Sequence, residues 1–109
     1  MLLDVRPDGY RVNIQDGIVR LRYRHGRDRP QFVEPESVVV VDIDLWSTGY
    51  ALKQGHRLAL HVSSSNFPRF DRHLNTSDPP STWTRPQKAT NTIHHDAAHP
   101  SYVELPVLK

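Results

Sequence analysis

The sequence predicts an all-β sandwich of six or seven short strands joined by turns. Three observations lead there. Apolar and polar residues alternate in several separate runs, most cleanly where Val19, Leu21 and Tyr23 share one face and Arg20, Arg22 and Arg24 the other. Nine prolines against five glycines disfavour long helices and favour short elements with loops. No segment carries apolar residues at the three-and-four spacing of an amphipathic helix.

Taken in order, residues 2–5 read as a strand running into Pro7-Asp8-Gly9, a strong turn signal. Residues 10–14 form a second short strand, ending at Gln15-Asp16-Gly17. The alternating run at residues 18–23 is the third. A loop follows from 25 to 36, where Pro30 and Pro35 exclude regular structure. Residues 37–46 form the longest candidate strand, with Val39, Val41, Ile43 and Leu45 on one face. Val38 and Val40 face the other way with Asp42, Asp44 and Trp46, so its first half reads as buried on both sides. Ser47-Thr48-Gly49 breaks it, and residues 50–52 are expected to make a brief bridge before the turn at Gln54-Gly55. Leu58, Leu60 and Val62 then line one face of a further strand. A second irregular section is marked by Asp78-Pro79-Pro80 and Arg85-Pro86, with Trp83 between them. Residues 88–95 read as a polar, threonine-containing strand, and residues 102–108 close the chain with Val103, Leu105 and Val107 on one face.

Between these elements, Ser63-Ser64-Ser65-Asn66-Phe67-Pro68-Arg69-Phe70-Asp71-Arg72-His73-Leu74-Asn75-Thr76 abandons alternation. Phe67 and Phe70 bracket a proline and an arginine, which predicts a compact loop with both rings buried as its anchor. Ser64, Asn66, Asp71 and Asn75 can hydrogen-bond nearby backbone and support its turns.

The 109 residues make one small domain, 1–109, with room for a single modest core. Hydrophobic content of 37% is low but clustered, unlike the composition of a disordered chain. A net charge of +2 is too small to imply a nucleic-acid partner, even though seven of the fourteen basic residues lie between Arg6 and Arg29. Acidic residues are mixed among them. The absence of cysteine excludes disulfides, thiolate chemistry and Cys-type zinc sites. No apolar run approaches a membrane span and no signal peptide shows, which points to no membrane partner and a cytoplasmic location for the chain as it stands.

The chemistry-bearing residue types form no catalytic constellation. No Gly-x-Ser-x-Gly elbow exists, and Ser63, Ser64 and Ser65 end a strand without a glycine-lined turn. His94, His95, Asp96 and His99 invite a metal reading, yet neighbouring histidines on a strand point to opposite faces. His95 with Asp96 or His99 could chelate only if the strand ends there. Asp42 and Asp44 share a strand face and are expected to pair with Arg20, Arg22 and Arg24 across strands. Trp46, Trp83, Tyr10 and Tyr50 could make a sugar-stacking platform, but in a small β protein aromatics more often fill the core. The expectation is no catalytic, cofactor or metal residue, and no cofactor.

Several motifs in their order resemble one known module. They are Asp8-Gly9, Asp16-Gly17-Ile18-Val19-Arg20-Leu21-Arg22-Tyr23-Arg24, Val41-Asp42-Ile43-Asp44-Leu45-Trp46 and Gly55-His56-Arg57-Leu58. Ser63 through Arg72 follows, and His95-Asp96 with Pro100-Ser101-Tyr102-Val103-Glu104-Leu105-Pro106-Val107 is similar to the module's ending. The module is the C-terminal domain of the Xaa-Pro dipeptidyl-peptidase and cocaine esterase family of serine hydrolases, which includes α-amino-acid ester hydrolases and glutaryl acylases.

The resemblance implies a jelly-roll, galactose-binding-like sandwich packed against an α/β-hydrolase domain. In such enzymes a Ser-His-Asp triad and an oxyanion hole cleave esters or amides. The triad belongs to the hydrolase domain, so none of it transfers to this sequence. The implied function is that of a non-catalytic domain bracing the hydrolase domain, with loops that wall the substrate cleft. A free-standing carbohydrate- or ligand-binding module is the competing class. Family members carry further strands upstream, whereas this chain begins inside a strand, so the sandwich is expected to be an incomplete copy. An uncovered edge at residues 2–5 would then drive self-association.

Overall fold

The computed structural model describes residues 1–82 and 84–108. Its regular structure is β, as the sequence predicts, and the described residues contain no α-helix. The chain divides into two compact units, Met1–Ser63 and Ser64–Lys109.

In the first unit, β1 (Leu2–Val5), β2 (Arg11–Gln15) and β3 (Arg57–Leu60) form an antiparallel sheet in the order β2-β1-β3. The strand expected to be an uncovered edge is therefore the central one, paired on both sides; the edges are β2 and β3. Leu3 pairs with Asn13 and Ala59, Asp4 with Val12 and Leu58, and Val5 with Arg11 and Arg57. Opposed residues share a face, so Leu2, Asp4, Val12, Leu58 and Leu60 line one side of the sheet.

The β1–β2 turn follows its sequence. Gly9 donates its N–H to the Arg6 carbonyl at 2.9 Å, and Asp8 Oδ1 accepts from the Tyr10 N–H at 2.9 Å. Gly9 sits at φ +86°, a left-handed conformation that suits glycine. Register slips between Leu2 and Leu3, because Leu2 opposes Gln15 while Leu3 opposes Asn13. Ile14 is thus the extra residue of a β-bulge, which bends β2 near its end.

Gly17 is needed for a different reason. A Cβ there would collide with the Asp44 carbonyl oxygen and come within 3.0 Å of Ile43 Cγ2. The obstacle is backbone, which cannot rotate away. Gly17→Ala should therefore lower stability by about 1–3 kcal/mol, the usual range for overpacking, read as a lower urea midpoint at unchanged slope. An unchanged midpoint would mean that residues 43–44 move aside freely.

Other expected strands are absent. Residues 18–20 are irregular, and Leu21–Tyr23 forms one turn of 3-10 helix instead of a strand. Arg24 Nη1 donates to the Leu21 and Gln31 carbonyls at 3.0 and 2.9 Å, and Arg22 lies 5.0 Å from the Phe32 ring centroid. Residues 37–46 form no strand, and neither do 50–52, 88–95 or 102–108. Their alternation lacks what makes a strand, which is a neighbour to share its backbone hydrogen bonds.

The apolar core of the described residues is correspondingly small, consisting of Leu2 and Val5. In the second unit the loop around Phe67 and Phe70 is not anchored as expected. Phe70 donates its N–H to the Asn66 carbonyl at 3.0 Å, closing the turn around a cis Phe67–Pro68 bond. Phe67 is 57% exposed and Phe70 is half-buried, so the expectation of two buried rings fails. Each ring instead carries a guanidinium, Arg72 at 4.7 Å from the Phe67 centroid and Arg69 at 5.6 Å from that of Phe70. A cation over the ring leaves one ring face in water, which suits an exposed aromatic.

Candidate functional site

Among the described residues the most enclosed polar group is Asp4, in the centre of the sheet and 2% exposed. A carboxylate held there must have its oxygens satisfied. Both partners arrive from the segment leading into β3. Tyr50 donates its hydroxyl to Asp4 Oδ2 at 2.7 Å, and His56 Nδ1 lies 2.9 Å from both carboxylate oxygens. Because an ionised carboxylate only accepts, His56 carries its proton on Nδ1. A turn closed by the His56 N–H on the Lys53 carbonyl delivers the ring, one residue before β3 begins.

The Tyr50 bond is the main cause holding the Asp4 carboxyl below its ordinary range; burial opposes it, and the His56 bond and the charges of His56 and Arg6 add to it. The same bond pushes the Tyr50 phenol above its usual value, with burial and the Asp4 charge adding. The three groups clamp the 50–56 segment onto β1. The arrangement is a brace, with its charge-assisted bonds near the sheet centre.

The remaining candidate residues scatter. Trp46 and Tyr10 are exposed, Tyr10 lies against the Arg6 guanidinium at 5.0 Å, and Trp83 falls outside the described residues. Tyr50 is committed to Asp4. Asp42 is exposed, and Asp44 Oδ1 accepts the Trp46 N–H at 2.7 Å. The strands that would have set Asp42 and Asp44 opposite Arg20, Arg22 and Arg24 do not form.

One cluster does assemble, differently from the sequence expectation. Residues 91–95 are irregular, so strand alternation no longer separates the histidines. Asp96 Oδ1 accepts the N–H groups of Ala98 and His99 at 2.9 and 2.8 Å, turning the chain back on itself. His99 and His94 then flank Asp96, with His99 Nδ1 3.4 Å from Oδ1 and His94 Nδ1 3.8 Å from Oδ2. His94 takes the place reasoned for His95. The His99 N–H is the main cause lowering the Asp96 carboxyl below its ordinary value, assisted by the Ala98 N–H and by His99 and His94, against burial.

Residues 1–104 match the X-Pro dipeptidyl-peptidase C-terminal non-catalytic domain. The chain belongs to this family. This C-terminal non-catalytic domain is also 41% identical over 113 aligned positions to the cocaine esterase of Rhodococcus sp. (strain MB1 Bresler). That alignment covers 99% of the chain and 19% of the esterase, so the domain spans about a fifth of its relative's length. No solved structure matches the domain. The Asp4–Tyr50–His56 brace left little trace in the sequence, since its partners stand 46 and 52 residues from Asp4. The one available signal was an aspartate in a strand otherwise apolar, Leu2-Leu3-Asp4-Val5.

Proposed function

We propose that this chain is the accessory β domain of a serine acyl hydrolase, bracing an α/β-hydrolase domain and walling its substrate cleft, within a jelly-roll architecture. What supports the reading is the family match over residues 1–104, to a domain described as non-catalytic, together with the likeness to an esterase along nearly the whole chain. Exposed apolar side chains give such a brace its material: Leu58, Leu60 and Val62 are 46%, 50% and 47% exposed, and Tyr102 is 82% exposed. The parent reaction would be acyl transfer from an ester or amide, with nucleophile, base and oxyanion hole all supplied by the hydrolase domain. In the absence of that domain, the edge of the sheet would pair with a second copy of the chain.

A chimera tests the brace. The Rhodococcus cocaine esterase, with its matching C-terminal fifth replaced by this chain, should remain soluble and hydrolyse p-nitrophenyl esters within about tenfold of the parent's kcat/KM. The chain alone should give no turnover above buffer. A chimera that folds but binds substrate no better than the truncated hydrolase would remove the cleft-walling role. Turnover by the isolated chain that persists after Ser64→Ala and repurification would reveal a site of its own.

A further inference from the structure

The His94, Asp96 and His99 side chains are arranged as ligands for which the brace has no use. We propose that they form a binding site for a borderline divalent transition-metal ion, zinc being the fitting occupant. One donor atom from each residue lies within 4.8 Å of the others. A tetrahedral ion with bonds of about 2.0–2.1 Å sets its ligand atoms about 3.3 Å apart. His94 Nδ1 stands 3.8 Å from Asp96 Oδ2, close to this, and His99 Nδ1 stands 3.4 Å from Oδ1, the other oxygen of the same carboxylate.

The turn itself needs only half of Asp96. Its two N–H bonds fall on Oδ1, which orients the carboxylate and leaves Oδ2 turned toward His94. The imidazole centroids are 5.0 Å apart and tilted by 46°, so the two rings stand close together on one loop. Ser101 Oγ donates to the His94 carbonyl at 2.5 Å and ties the two ends of the ligand loop together. All three ligands lie within six residues, so an ion closes a short, already ordered loop at small entropic penalty. Side chains 39–56% exposed leave the remaining coordination positions to water. Two imidazoles and one carboxylate suit zinc, copper or nickel, whereas calcium and magnesium call for oxygen ligands.

Calorimetric titration of the untagged chain with zinc chloride at pH 7.5 is the test. One ion per chain with a dissociation constant in the micromolar range is expected, and no heat from calcium chloride. His94→Ala and His99→Ala should each weaken zinc binding by about tenfold or more. Asp96→Asn, which keeps an oxygen acceptor for the turn, should weaken it comparably with an unchanged circular dichroism spectrum. His95→Ala, outside the cluster, should leave the affinity as it was. Absence of binding up to millimolar zinc would overturn the site. So would affinity that survives the His94/His99 double substitution, or that is lost with His95→Ala.

Discussion

Asp4→Ala should lower the thermal midpoint of the 1–63 unit by on the order of 10 °C at pH 7, since it strips the mostly buried His56 and the Tyr50 hydroxyl of their shared acceptor. Tyr50 and His56 would both face a methyl group at the centre of the sheet, and the segment between them would lose its tie to β1. The pH dependence distinguishes this brace from simple packing. The folded-state pKa of Asp4 is depressed, so its contribution is present above the ordinary carboxylate pKa of about 4 and is lost as pH falls through the lower folded value. For Tyr50 the folded value is raised, so its contribution holds below about pH 10 and is lost as pH rises through that higher value. Tyr50→Phe removes the chief cause of the Asp4 depression and should move the acid limb of the stability curve to higher pH. Asp4→Asn should remove that limb's Asp4 component altogether. Midpoints followed by circular dichroism from pH 2 to 8 read all three variants. If Asp4→Ala melts within about 2 °C of the parent, or Tyr50→Phe leaves the acid limb in place, the brace is not what holds the 50–56 segment.

What could be read beforehand divides along a physical line. β1, β2 and β3 were legible because local signals bound them: Pro7-Asp8-Gly9 between the first two, and Gln54-Gly55 ahead of the third. The alternation of residues 18–23 and 37–46 was just as clear, yet neither is a strand. Alternation records a side-chain preference for one wet and one dry face, whereas a strand also requires a ladder partner in register, which sequence periodicity does not encode. The Phe67 and Phe70 pair was misjudged similarly, because ring hydrophobicity was weighed without the neighbouring Arg69 and Arg72 that hold the rings at the surface. For the histidine cluster the residue types were visible, but the assumption of a strand split His94 from its partners. A turn built on Asp96 brought them together.

The isolated chain should dimerise through β3. His61 and Met1 exchange reciprocal bonds, the His61 N–H to the Met1 carbonyl at 2.8 Å and the Met1 amino group to the His61 carbonyl at 2.7 Å. Antiparallel pairs alternate between bonded and unbonded, so Ala59 directs its N–H toward β1 while Leu58 and Leu60 direct theirs outward. Among the described residues no strand pairs with that outer edge. It combines free backbone donors with two leucines about half exposed, the composition that templates strand addition. β2, the other edge, is a poorer template, because it is bulged at Ile14 and exposes Arg11 and Asn13. A net charge of +2 offers little repulsion. Sedimentation velocity at micromolar concentrations should show a concentration-dependent monomer–dimer equilibrium. Leu58→Pro deletes an outward N–H without touching the ladder to β1, an edge position where proline is tolerated, and should shift the equilibrium to monomer. Should that variant unfold, Leu60→Lys serves in its place, since it keeps the backbone intact and sets a charge on the edge. A parent chain that sediments as a concentration-independent monomer, or variants that dimerise as readily as the parent, would show that β3 is not the pairing edge.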